Sequence, residues 1–172
     1  MGNGKVEMHD GTDKYVKDLK KGDVVRGDRF GGFIIHCALR FLSGYPRELT
    51  LVRTLLVTHG QPIYVENEWV LSSTVPGATV VCDVCDQVYN FVLDRGHVLM
   101  IEGIPCATLG HGFEGPVMSH PYFGTDRVVN DLLRMRGWDD GVVLLNGTLL
   151  CPDTGLVCGL VQRPARDLAN SP

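Results

Sequence analysis

Turn-forming residues cut this chain into pieces too short for ordinary helices. Asp10-Gly11, Gly22-Asp23, Asn67, Gly96, Gly103 and Asn146-Gly147 follow one another, with branched or alternating apolar runs between them. Turn signals at about 8–12 residue intervals are the mark of an all-β domain of many short strands. "GKVEMHDGTDKYV" alternates on both sides of Asp10-Gly11 and reads as a hairpin. "GGFIIHCALRFL" and "RELTLVRTLLV" each read as one long strand, rich in branched side chains. "IYV" and "EWVL" flank a tight turn at Asn67. "ATVVCDVCDQVYNFVLD" and "HVLMIEGIPCATLG" are further strand runs, broken by Gly96 and Gly103. "GVVLLNGTLLC" reads as a hairpin through Asn146-Gly147, "PDTG" as a turn and "LVCGLV" as a last short strand.

One segment breaks the β pattern. Thr125 is a good N-cap, Asp126 suits the positive helix end, and Val128, Val129, Leu132 and Leu133 form an apolar stripe. Arg134 and Arg136 fall in the last turn, and Gly137 stops it, so a helix is expected over about 125–136. Residues 162–172 read as a frayed tail.

Composition bounds what such a domain does. At 172 residues and 44% hydrophobic, the chain is long enough to build its own core without disulfides. A net charge of −4 argues against nucleic acid as a partner, since phosphate binding needs a basic face. No apolar run is long enough for a membrane span. The polar start, without a signal-peptide core, implies a cytoplasmic protein with its six cysteines reduced.

Three ordered segments carry a resemblance. "GKVEMHDGTDKYVKDLKKGDVV" contains Leu19, Gly22, Asp23 and Val25 in an L-x-x-G-D-x-V element. "LLVTHGQPI" resembles a block that usually reads T-x-x-H. "VYNFVLDRGHVLMIEGI" places His97 six residues before Gly103. Together they resemble the Hint (hedgehog/intein) superfamily. "CATLGHGF", "HPYFGTDRVVNDL" and "TGLVCGLV" are similar to its Vint branch, the Hint domains of eukaryotic proteins with a von Willebrand A domain. The resemblance implies a mostly β, horseshoe-like, pseudo-symmetric fold with a C-terminal extension holding one α-helix. It would occupy residues 1–161, with a core over about 4–112.

The resemblance also implies a function: single-turnover autoprocessing at the domain's own amino-terminal junction. In the family a Cys at the first position attacks the preceding carbonyl, and an outside nucleophile resolves the thioester. The substrate would be the upstream segment in cis, with a von Willebrand A domain as a candidate, and no cofactor is needed. Thr58 and Gln61 hold the T-x-x-H positions, so an amide stands where a proton donor is expected. Gln61 can donate a hydrogen bond but cannot transfer a proton at neutral pH. His59, one residue after Thr58, is expected to face away from the site.

The usual spacing puts the nucleophile about two residues ahead of Met1, whose thioether cannot replace a thiolate. Residues 1–172 by themselves are therefore expected not to cleave. A degenerate, non-catalytic binding or scaffolding module is the alternative reading.

Other polar residues carry paired readings. His97 either assists the second acyl transfer or is a structural, hydrogen-bonded histidine. Cys106 is a helper nucleophile or a buried small hydrophobe. His111 and His120, among Gly, Pro and aromatics, read as surface-loop histidines; Asn130 and Asp131 read as solvated helix positions; Cys37 reads as core. Cys82 and Cys85 form C-x-x-C, but zinc would need two further ligands and no second C-x-x-C exists.

Overall fold

The computed structural model describes residues 2–27, 32–42, 47–83 and 87–164. Cys85 lies outside them, as does the tail from residue 165 onward. Among the described residues the chain is mostly β, with one α-helix. Its strands are β1 Lys5–Glu7, β2 Asp13–Tyr15, β3 Val24–Arg26, β4 Gly32–Leu42, β5 Arg47–Val52, β6 Leu55–Thr58 and β7 Pro62–Val65. They continue with β8 Glu68–Leu71, β9 Thr79–Asp83, β10 Gln87–Leu93, β11 Val98–Ile101, β12 Ile104–Ala107, β13 Val142–Leu150 and β14 Val157–Gln162. The helix, α1, is Asp126–Leu132. No helix among the described residues is long and apolar enough to cross a membrane.

Among the described residues the strands form three sheets, none closed into a barrel. A six-stranded sheet runs β2-β1-β11-β12-β7-β8; a second runs β10-β4-β13-β14, with β3 also on β4; a third is β6-β5-β9. The first sheet matters most for function. It seats the amino-terminal strand beside β11 (Val6 opposite Ile101) and β12 beside β7 (Cys106 opposite Ile63). Sequence-distant segments are thus neighbours across hydrogen-bond ladders.

Apolar alternation supplies the core. Val6, Leu19, Val25, Ile35, Phe91 and Leu99 belong to one buried cluster under the amino-terminal hairpin. A second cluster gathers Leu39, Tyr122, Val128, Leu132, Val143 and Leu145 beneath α1. A third, with Val52, Leu55, Ile63 and Cys106, lies between the β5–β6 and β7–β12 ladders.

The Asp10-Gly11 hairpin forms as the sequence implies: Asp10 Oδ1 accepts from the Thr12 amide at 2.9 Å, closing the turn. Asn67 also sits in its expected turn, with φ of 68° beside Glu66 at 52°. Three expectations differ. "RELTLVRTLLV" is two strands, not one: Val52 pairs with Leu55 and the chain reverses through Arg53, at φ 56°. Arg in a left-handed turn position carries no turn signature, so the run looked continuous. Asn146-Gly147 is no hairpin turn. β13 pairs with β4 through Leu145 and with β14 from Leu145 on, and the register slips between Leu145 and Gly147. The pair forms a bulge where the strand bends from one partner toward the other.

The third difference is α1, which ends at Leu132, short of the expected boundary. Thr125 caps it by accepting from the Arg127 amide, and Val128 and Leu132 are fully buried. Leu133 is 51% exposed, because the chain leaves the helix there and its turns continue to Gly141. At the other end of the extension, the Gln162 carboxamide brackets the backbone of Arg136, and the Arg163 amide donates to the Leu144 carbonyl at 3.0 Å. The start of the expected tail is therefore tied down.

Candidate functional site

A cleft opens where the first sheet meets β6 and β10. Its walls include Val16, Thr58, Gln61, Tyr89, Cys106 and Thr108. The chain's beginning reaches this cleft. The Lys17 amide donates to the Gly2 carbonyl at 3.0 Å, and the Val16 amide donates to the Gly4 carbonyl at 2.9 Å. Gly2 lies so close to Tyr89 that a Cβ there would stand 3.1 Å from the ring. Four segments far apart in sequence thus converge on one recess.

Thr58 closes β6, and the tight turn after it is fixed twice. The Gln61 amide donates to the Thr58 carbonyl at 3.0 Å. Ser72, fully buried, donates its hydroxyl to the carbonyls of Thr58 (2.8 Å) and His59 (3.0 Å), while its amide donates to Gln61 O. The turn leads straight into β7, and Gln61 faces β12: its Nε2 donates to Ala107 O at 2.8 Å and to Pro62 O at 3.2 Å. Two carbonyl acceptors consume both amide protons, leaving Oε1 as the group Gln61 can offer a ligand. His59 goes the other way. Its Nδ1 is hydrogen-bonded to Thr50 Oγ1, its Nε2 is 3.5 Å from Glu48, and it is absent from the cleft walls.

Cys106 lines the cleft but is 3% exposed, and burial pushes its thiol pKa up to about 12. It stays protonated at neutral pH, a poor state for a nucleophile. Cys37 is fully buried and pushed up to about 11 by desolvation. Tyr89 donates to Gln87 Oε1 at 2.9 Å, and Arg40 lies over its ring at 5.8 Å from the centroid.

His97 begins the β11–β12 hairpin at φ 51°; its carbonyl accepts from the Thr108 amide, but its ring is not part of the cleft lining. Burial lowers its pKa, with the Leu109 backbone, Asp94 and Asp126 opposing. His111 is no surface histidine: it is 9% exposed, stacks beside Phe113 at 5.0 Å, and accepts the Phe113 amide at Nδ1. His120 similarly accepts the amides of Tyr122 and Phe123. Both rings act as turn caps, a role their Gly- and aromatic-rich surroundings did not signal. Asp131 is not merely solvated, since it accepts the Tyr122 hydroxyl at 2.9 Å. Cys82 is exposed on β9. Ser72 and Thr108 were not foreseen; alternation from Cys106 was the one signal available for Thr108.

Burial holds the pKa of His97, His111 and His120 below the ordinary histidine value. Above about pH 6.5 folded and unfolded chains both carry them neutral; below it the unfolded chain takes up protons that the folded one resists. Stability is therefore full above that pH and is lost as it falls. The urea midpoint is expected to be lower at pH 5.5 than at pH 7.5. His111→Asn, whose Oδ1 can accept the same amide, should flatten the difference; an unchanged slope would remove His111 from this account.

No curated protein matches the chain. Solved structures similar to it include the crystal structure of the MchDnaB-1 intein, 12% identical, with a TM-score of 0.48 and coverage of 62% of this chain and 98% of that one. The solution structure of a bacterial intein-like domain from Clostridium thermocellum is also 12% identical, with a TM-score of 0.48 and coverage of 61% and 94%. The Vint Hint-domain family model matches residues 1–159, nearly the whole chain, and the chain therefore belongs to that family, which is of the autoprocessing type.

Proposed function

We propose that the cleft takes up the peptide bond on the amino side of a Cys about two residues ahead of Met1, and that the domain processes its own amino-terminal junction through a thioester. The observation that carries this reading is the packing of Gly2 on Tyr89, at the rim of the recess lined by Thr58, Gln61 and Cys106. A Cys thiolate just upstream attacks the carbonyl carbon of the residue before it. As the C–S bond forms, the carbonyl pair moves onto oxygen. It returns as the C–N bond breaks, and the amine leaves with a proton. An external thiol, amine or water then attacks the thioester and releases the upstream segment. Thr58, at the end of β6, offers its hydroxyl to the scissile amide. Gln61 fixes the turn that presents it.

The test is a fusion in which a passenger protein and a Cys two residues ahead of position 1 precede the full chain. Dithiothreitol or hydroxylamine is expected to release the passenger within hours, and Cys→Ala at the junction to abolish release. A fusion that remains intact overturns the reading.

One observation favours a second reading, a non-catalytic binding or scaffolding module. Gln61 spends both amide protons on protein carbonyls, and no side chain that exchanges protons near neutral pH lines the cleft among the described residues. The same fusion separates the two readings.

A further inference from the structure

Two buried polar atoms in the β11–β12 hairpin have no hydrogen-bond partner among the described residues: Nδ1 of His97 and Oγ1 of Thr108. The register explains why they belong together. Leu99 faces Cys106 and Val98 faces Ala107. The Thr108 amide then donates to the His97 carbonyl at 2.9 Å, so the ladder's next step sets His97 opposite Thr108. Opposed residues share a face, and alternate residues along a strand share it too. Leu99, Cys106 and Thr108 on that face all line the cleft.

Thr108 is 4% exposed, so water does not readily satisfy its hydroxyl. A buried donor left unmade is costly, and folded proteins keep few of them. The polar atom across the ladder does not satisfy it either, since His97 Nδ1 is itself unpartnered. The neighbouring donors are committed elsewhere: the Cys106 thiol to Ile104 O and the Gln61 amide to Ala107 O. Thr108 is therefore an unspent donor on the β12 wall of a recess that the chain's beginning reaches.

We propose that Thr108 Oγ–H is a catalytic hydrogen-bond donor to the carbonyl oxygen of the peptide being attacked. This rests on the reading of the cleft as a peptide-processing site. The carbonyl oxygen gains negative charge as sulfur adds and loses it as the C–N bond breaks. A donor fixed in a water-poor wall stabilises that charge without reorganising. Thr108 gives a hydrogen bond only; the proton the amine needs comes from elsewhere.

The passenger fusion with its upstream Cys tests this through Thr108→Val and Thr108→Ser. Thr108→Val is expected to slow thiol-induced release about a hundredfold, and Thr108→Ser, which keeps the hydroxyl, to restore most of the rate. The denaturation midpoint of Thr108→Val should stay at or above that of the parent, because the change removes a polar atom with no partner. A lowered midpoint means the hydroxyl is satisfied inside the protein and overturns the donor role. Release by Thr108→Val at the parent rate overturns the donor role alone. A parent fusion that stays intact overturns the processing reading, and the role of Thr108 with it.

Discussion

Gln61→His is expected to raise the rate of passenger release from the Cys-led fusion roughly ten- to hundredfold at pH 6.5. In the parent, Gln61 has a structural task. Its Nε2 spans the gap from β7 to Ala107 O and also binds Pro62 O, so the side chain is a brace between the turn and β12. A histidine at 61 has a ring N–H at similar reach and can keep the Ala107 bond. Its other nitrogen then stands in the cleft as a group that gains and loses a proton near neutral pH. Protonating the leaving amine is the step an amide cannot perform, and general acid catalysis typically contributes about 10²–10⁴-fold. The lower figure allows for imperfect placement, which erodes such gains quickly. The sign with pH follows from the acting form. The imidazolium is the acid, so acceleration should be larger at pH 6.5 than at pH 8.5. Rates equal to or below the parent's at both pH values would mean that position 61 is not where the proton is needed.

The strand turns show which parts of this architecture were legible. Tight turns with their own chemistry, such as Asp10-Gly11 and the reversal at Asn67, could be read because the residues that favour them are few. The reversal at Arg53 could not. Its conformation is imposed by the pairing of β5 with β6 and β9, which no local residue announces. The bulge at Asn146 fails in the opposite direction: a good turn pair is overruled because β13 must serve two neighbours. The cleft divides the same way. Thr58 and Gln61, which line it, were named from one short motif. Ser72 and Thr108 were not, because what singles them out is burial and the presence or absence of partners. His111 was misplaced for a related reason. Glycine-rich, aromatic surroundings are as compatible with a buried capping ring as with an exposed loop.

Gly137→Ala is expected to destabilise the domain by about 3–6 kcal/mol, the sum of three effects. Gly137 has φ of 91°, and a side chain in that region costs about 1–2 kcal/mol. A Cβ there would stand 2.0 Å from the Val142 carbonyl oxygen. That atom is backbone at the start of β13, so no rotamer change relieves the clash, and overpacking of this kind costs about 1–3 kcal/mol. The shift that would relieve it breaks the bond from the Val142 amide to the Gly137 carbonyl, worth about 1 kcal/mol. Position matters as much as magnitude. The turn from residue 137 to 142 sets where β13 enters the sheet, and β13 pairs in parallel with β4 from Val142 onward. It also seats Val143 and Leu145 in the cluster beneath α1. A natural domain holds only about 5–15 kcal/mol in total, so the variant should melt roughly 6–24 °C below the parent, at about 2–4 °C per kcal/mol for a chain of this size. Gly77→Ala is the control. A Cβ there meets nothing within 4 Å, at a similarly positive φ of 79°, so only the conformational part of the loss should remain. Equal losses for the two variants would show that the carbonyl contact contributes nothing and that the left-handed geometry alone explains both.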